Sequence, residues 1–118
     1  MLSLDKNKKY LLACSYGPDS MALFDMLLNE NYDFEVAHVN YHLRKESDGE
    51  ENELREFCIN YNKTIHVKNI SKKIEHNIEA ECRKIRYAFF KEVYDKHRFD
   101  ALLVAHNEDD HLETYLLQ

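Results

Sequence analysis

The chain has 118 residues, of which 44% are hydrophobic and 32% charged, the balance of a single domain that folds around its own core. No apolar run approaches the ~20 residues of a membrane span, and the start "MLSLDKNKKYLLACS" lacks a secretory signal's long apolar stretch and small-residue cleavage site, so a cytoplasmic protein is expected. The net charge of −6 argues against nucleic-acid binding through a bulk positive field.

"KYLLACS" (Lys9–Ser15) is an apolar run bounded by charge and then by Gly-Pro, and reads as a buried strand. "SYGPDS" (Ser15–Ser20) follows, with one of the chain's two glycines and its only proline. The segment Asp19–Asn31 reads as a largely buried helix; Asp19 or Ser20 is expected to cap it, and Pro18 sits where helices begin. "FEVAHVNY" (Phe34–Tyr41) alternates and is β-branched, giving a second strand. Ser47–Asn62 reads as a helix with Leu54, Phe57, Cys58 and Tyr61 on one stripe, and Thr64–Ile70 as a third strand. Over Ile78–His97 the residues Ile78, Cys82, Ile85, Phe89 and Val93 recur at spacings of three or four, the clearest helical signal in the chain. "ALLVAH" (Ala101–His106) is a fourth strand. Glu108–Gln118 reads as a fourth helix, with acids at its positive end. The chain ends inside this apolar pattern with no stop signal, which suggests the front part of something longer.

Strict alternation of strands and helices predicts an α/β fold: a doubly wound parallel sheet with helices on both faces. Such sheets bind ligands beyond the carboxyl ends of their strands. Strand one leads into SYGPDS, strand two into "NYHLR" and strand four into "HNEDD", so three polar clusters are expected along one edge.

Taken alone, each cluster has a plain reading beside a functional one. SYGPDS is a turn, or a loop whose free amides and Ser15 and Ser20 hydroxyls hold a phosphate at a helix N-terminus. It is neither a Walker A loop nor GxGxxG. Asp19 would repel a phosphate unless a cation such as Mg²⁺ joined them. Asp109, Asp110 and Glu113 are spaced for one helix face, which fits either capping or a cation site, and His106 closes strand four. Arg83 and Arg86 lie three apart, either solvated or clamping phosphate. Ten of the 16 basic residues fall between Lys63 and Arg98, which on a helix is either a solvated face or a phosphate contact. Cys14, Cys58 and Cys82 form no CxxC and read as free, buried thiols.

Taken together, "ACSYGPDSMALF", "AHVNYHLR", "NIEAECRKIRYAFF" and "AHNEDDHLETYLL" occur in an order that resembles the PP-loop ATP pyrophosphatases, and within them the tRNA(Ile)-lysidine synthases. The resemblance runs through nearly the whole chain. It implies a PP-loop ATP-binding domain over residues 1–118, with the remainder of that domain and the tRNA-gripping regions absent. It implies a ligase that uses ATP to adenylate C2 of the wobble cytidine of a tRNA(Ile) with a CAU anticodon. Free L-lysine then attacks C2 and AMP leaves. It further implies that Ser15, Tyr16, Gly17, Pro18, Asp19 and Ser20 form the phosphate loop, with Asp19 near Mg²⁺. His38, Val39 and Asn40 would lie by the nucleotide, Arg83 and Arg86 by ATP phosphate or adenylated tRNA, and His106, Asp109 and Asp110 at the reacting centre.

The sequence departs from the family loop SGGxDS at Tyr16, where glycine lets the backbone approach pyrophosphate. A tyrosine there either crowds the ligand or, at negative φ, points away. Two other readings stay open: another PP-loop enzyme such as a tRNA thiolase, and a non-catalytic ATP-binding module. Oligomeric state is also open, a homodimer included.

Overall fold

A computed structural model describes residues 2–105 and the backbone of residues 112–115. The first strand, β1 (Lys9–Ala13), is apolar throughout because both of its faces are covered. Tyr10, Leu12 and Cys14 join one core cluster, and Leu11 and Ala13 join the other. The second strand, β2 (Asp33–Asn40), divides likewise: Phe34 and Val36 lie with the first cluster and Ala37 and Val39 with the second. With β3 (Ile65–Asn69) and β4 (Ala101–Ala105), these strands form a parallel sheet, ordered β3-β2-β1-β4. Leu12 is paired with Val36 on one side and Leu103 on the other.

The helices fill both faces. From α1 (Pro18–Asn29), Leu23, Phe24 and Leu27 pack on the first face, joined by Leu54 and Cys58 of α2 (Ser47–Asn60). From α3 (Ile78–His97), Phe90, Val93 and Tyr94 cover the second face. The chain thus steps from β1 to β3 with its helices on one face and returns to β4 with α3 on the other, so all crossovers share one hand. Each fully buried leucine here contributes about 1.5–3 kcal/mol relative to exposure. All three cysteines are free and buried, as expected. Among the described residues, no helix is long and apolar enough to cross a membrane.

Three local expectations are corrected. Neither Asp19 nor Ser20 caps α1: the N-cap is Gly17 and no side chain caps the helix. On α2, Leu54 and Cys58 are buried, but Phe57 and Tyr61 lie at its exposed margin, where their rings stack on each other. The predicted fourth helix is interrupted by a strand, β5 (Leu112–Tyr115), antiparallel to β4, with Ala105 opposite Leu112 and Leu103 opposite Thr114. The outer edge of β4 would otherwise carry unpaired backbone groups, and pairing satisfies them, which local helical preference does not. The rest of that predicted helix lies outside the described residues.

Candidate nucleotide site

The loop after β1 is shaped by backbone geometry more than by side-chain caps. The Cys14 amide still donates to the Ala37 carbonyl at 2.9 Å, so sheet pairing runs one residue past β1. The chain then turns through Tyr16 at φ 66°, a left-handed conformation that costs a non-glycine residue about 1–2 kcal/mol. Gly17 itself has φ −78° and ψ 168°, which any residue can adopt. Glycine provides space there, because a Cβ would lie 3.3 Å from Ser15 Oγ. The Gly17 amide donates to Ser15 Oγ at 3.3 Å, and Ser20 Oγ donates to the Gly17 carbonyl at 3.2 Å. With Pro18 at the start of α1 and no side-chain cap, the amides of Asp19 and Ser20 are left for an external acceptor at the positive end of the helix.

That helix end opens onto a cleft of about 240 Å³ at the carboxyl ends of β1, β2 and β4. Ser15, Gly17, Asp19 and Ser20 line one side. Val39, Tyr41, Arg86 and Tyr87 line the other, and Val104 and Ala105 contribute from β4. The half-buried Tyr41 hydroxyl donates to the Cys82 carbonyl at 3.0 Å and accepts from Arg86 Nη1 at 3.4 Å. Burial raises the Tyr41 phenol above its ordinary pKa, against the lowering effect of Arg86. Among the described residues the Asp19 side chain makes no hydrogen bond or ion pair, so its carboxylate is uncommitted in a residue that lines the cleft. A cleft with free amides and a guanidinium beside one carboxylate can hold a polyanion together with a cation that bridges it to Asp19.

A second hollow, of about 280 Å³, shares Ser15, Val39 and Tyr41 with the first and runs along His38, Asn40, Leu43, Arg44, Ser47 and Glu50. The two hollows adjoin at these three residues. Val39 and Tyr41 point to the α3 side, whereas His38 and Asn40 alternate with them and belong to the α1/α2 side. His38 Nδ1 lies 2.7 Å from the Cys14 carbonyl, so this ring nitrogen carries a proton. Asn40, 2% exposed, ties down the chain leading into α2. Its amide donates to Asp48 Oδ1 and Glu51 Oε1, each at 3.0 Å, and its carbonyl accepts from the His42 amide at 2.9 Å. Burial alone would raise the Glu51 carboxyl, but hydrogen bonds from Asn40 and Arg55 outweigh it and hold the group below its ordinary range.

Of the residues singled out in the sequence, the cleft gathers Ser15, Gly17, Asp19, Ser20, Val39 and Arg86. Pro18 is exposed at the first turn of α1. Tyr16 is turned toward α2, where its hydroxyl donates to Glu53 Oε2 at 2.7 Å. Arg83 is exposed, with its guanidinium carbon 5.5 Å from the Tyr87 ring centroid. His106, Asp109 and Asp110 lie outside the described residues. The sequence reading did not single out Tyr41, Tyr87 or Glu53. Tyr41 was accessible from the alternation of β2, and Tyr87 from its four-residue spacing to Arg83. Nothing local in the sequence marks Glu53.

The cleft sits where the winding reverses, between β1 and β4, the switch point at which open α/β sheets bind ligands. An ATP-binding family model described as a PP-loop domain matches residues 1–118. The chain belongs to the PP-loop family. A tRNA(Ile)-lysidine synthase of Campylobacter jejuni (strain RM1221) is 40% identical over 118 residues, covering 100% of this chain and 36% of that protein. Another, of Ureaplasma parvum, is 42% identical over 118 residues, covering 95% of this chain and 35% of that protein. The PP-loop chain thus spans little more than a third of the length of these relatives. Among solved structures, the U34-tRNA thiolase NcsA from Methanococcus maripaludis superimposes with a TM-score of 0.72 over 91% of this chain and 40% of its own. At 22% identity that likeness speaks for the fold alone.

Proposed function

We propose that the cleft binds ATP and that this PP-loop chain carries the nucleotide-binding part of a tRNA(Ile)-lysidine synthase. The observation that carries the reading is the convergence of Ser15, Gly17, Asp19 and Ser20 with Arg86 on one cleft, in a chain at least 40% identical to two lysidine synthases. In the proposed reaction, the C2 oxygen of the wobble cytidine attacks the α-phosphorus of ATP and pyrophosphate leaves. The amino group of free L-lysine, having lost its proton, then attacks C2 and displaces AMP.

The residues divide this work by their chemistry. The amides of Asp19 and Ser20 and the Ser15 hydroxyl meet the departing pyrophosphate, and Arg86 neutralises its growing charge from the α3 side. Val39 packs beside the nucleotide, and His38 and Asn40 hold the end of β2 behind it. Arg83, exposed one turn away, is placed for an incoming tRNA phosphate. His106, Asp109 and Asp110 are assigned to the reacting centre by resemblance, where a carboxylate would receive the lysine ammonium or accept its proton. Mg²⁺, for which the uncommitted Asp19 carboxylate is a suitable ligand, would offset the charge of the phosphates. The partners are tRNA(Ile) with a CAU anticodon and L-lysine, in the cytoplasm, with a homodimer as a further possibility.

The three cysteines favour ligation over thiolation. Cys14 and Cys58 lie in one core cluster and Cys82 on α3, all three free and buried, so they present no surface pair for sulfur transfer. The test is AMP release from ATP with tRNA(Ile) and lysine supplied separately and together. Release that needs all three supports the reading. Sulfur incorporation, or ATP binding without turnover in the full-length protein, would replace it.

A further inference from the structure

The phosphate loop contains a feature that the family pattern SGGxDS does not anticipate. Tyr16 occupies a position with φ 66°, where glycine carries no steric penalty and tyrosine does. The side chain is not loose. Its ring packs against the core shared by α1 and α2, and its hydroxyl donates to Glu53 Oε2 at 2.7 Å. Glu53 lies one residue before Leu54, which is fully buried in that core, so the acceptor sits on a fixed part of α2. The ring therefore bridges the loop to α2 and leaves the cleft on the α3 side clear.

We propose that Tyr16 is a positioning residue for the phosphate loop: its hydroxyl contact with Glu53 holds the left-handed turn that presents the first-turn amides of α1 to the ligand. This rests on the nucleotide reading of the cleft and adds a device to it. A glycine reaches the same turn without help. A tyrosine carries a steric penalty there that the anchor offsets, so loop posture becomes partly dependent on α2. The hydroxyl competes with water at this exposed site, so the effect of losing the contact is modest. Strain in the turn persists in a Tyr16→Phe variant, whereas Tyr16→Gly removes strain and anchor together.

Calorimetry with Mg-ATP on the wild type, Tyr16→Phe, Glu53→Ala, Tyr16→Gly and the Tyr16→Gly/Glu53→Ala pair tests this. The expected result is a rise in Kd of about threefold for Tyr16→Phe and for Glu53→Ala. Tyr16→Gly should bind at least as tightly as wild type, and adding Glu53→Ala to it should change nothing. A purely structural contribution of Glu53 to α2 would weaken binding equally in both backgrounds, and that outcome overturns the proposal. So does wild-type affinity in Tyr16→Phe. If the wild type itself gives no heat, the nucleotide reading falls. Amide exchange at Gly17 and Ser20 in the free protein then decides the anchor: faster exchange in Tyr16→Phe and Glu53→Ala supports it, and unchanged exchange overturns it.

Discussion

Tyr41 reaches from the end of β2 to Arg86 on α3, accepting from the guanidinium at 3.4 Å while donating to the Cys82 carbonyl at 3.0 Å. One hydroxyl thus fixes the only arginine lining the cleft among the described residues. Tyr41→Phe keeps the ring and removes both bonds. The expected loss is about 1 kcal/mol of stability by urea denaturation, together with a severalfold weaker Mg-ATP affinity by calorimetry. Unchanged affinity at reduced stability would mean that Arg86 keeps its place without Tyr41.

The two arginines of α3 should separate cleanly. Arg86 lines the cleft and Arg83 does not. Arg86→Ala is expected to raise the Kd for Mg-ATP by about tenfold or more, the scale of a charge-assisted contact. Arg83→Ala should change it by less than about twofold, and should instead weaken tRNA binding in a gel-shift assay. Equal effects on ATP would contradict the placement.

Asp19 is the one carboxylate among the described residues that lines this cleft. Asp19→Asn removes charge but keeps shape. Titration of ATP with and without Mg²⁺ should show that the wild type gains affinity from the metal and that the variant gains little, because the amide is a poor ligand for a hard cation.

Asn40 is predicted to be a stability residue more than a ligand contact. Asn40→Ala takes one donor from each of Asp48 and Glu51, which keep His42 and Arg55, and should cost about 1 kcal/mol in thermal or chemical denaturation. Asn40→Asp sets a third carboxylate against those two and should cost more.

Glu51 carries a pH signature of the same network. Its carboxyl is held below the ordinary value of 4.5 in the folded chain, so the unfolded chain binds more protons in that interval. Its contribution is full above pH 4.5 and fades as the pH falls through the lower, folded value. Denaturation midpoints measured below pH 5 should therefore fall less steeply in Glu51→Gln than in wild type.

The order of elements was legible from β1 to β4, since an apolar run of five and a stripe at spacings of three or four can each be buried in only one way. Ile78–His97 was read with its observed ends. The strand at Leu112–Tyr115 was not legible, because "LETY" pairs only when β4 offers it an open edge. The helix cap was misread for a related reason: Ser20 bonds backward to the Gly17 carbonyl, a choice set by the turn at Tyr16.

By itself, the sequence determined the alternation of strands and helices from β1 to β4, the burial of both sheet faces and the gathering of the clusters after β1 and β2 at one edge, because periodicity and composition act locally. Tertiary structure alone decided which of those residues share a cleft. The two-residue period of β2 packs Val39 against α3 and brings Tyr41 to Arg86, while His38 bonds the Cys14 carbonyl and Asn40 reaches Glu51 on α2. It also placed Glu53, 37 positions away in the chain, within hydrogen-bond reach of Tyr16. Contacts of that kind follow from how helices settle on a sheet, and no local pattern encodes them.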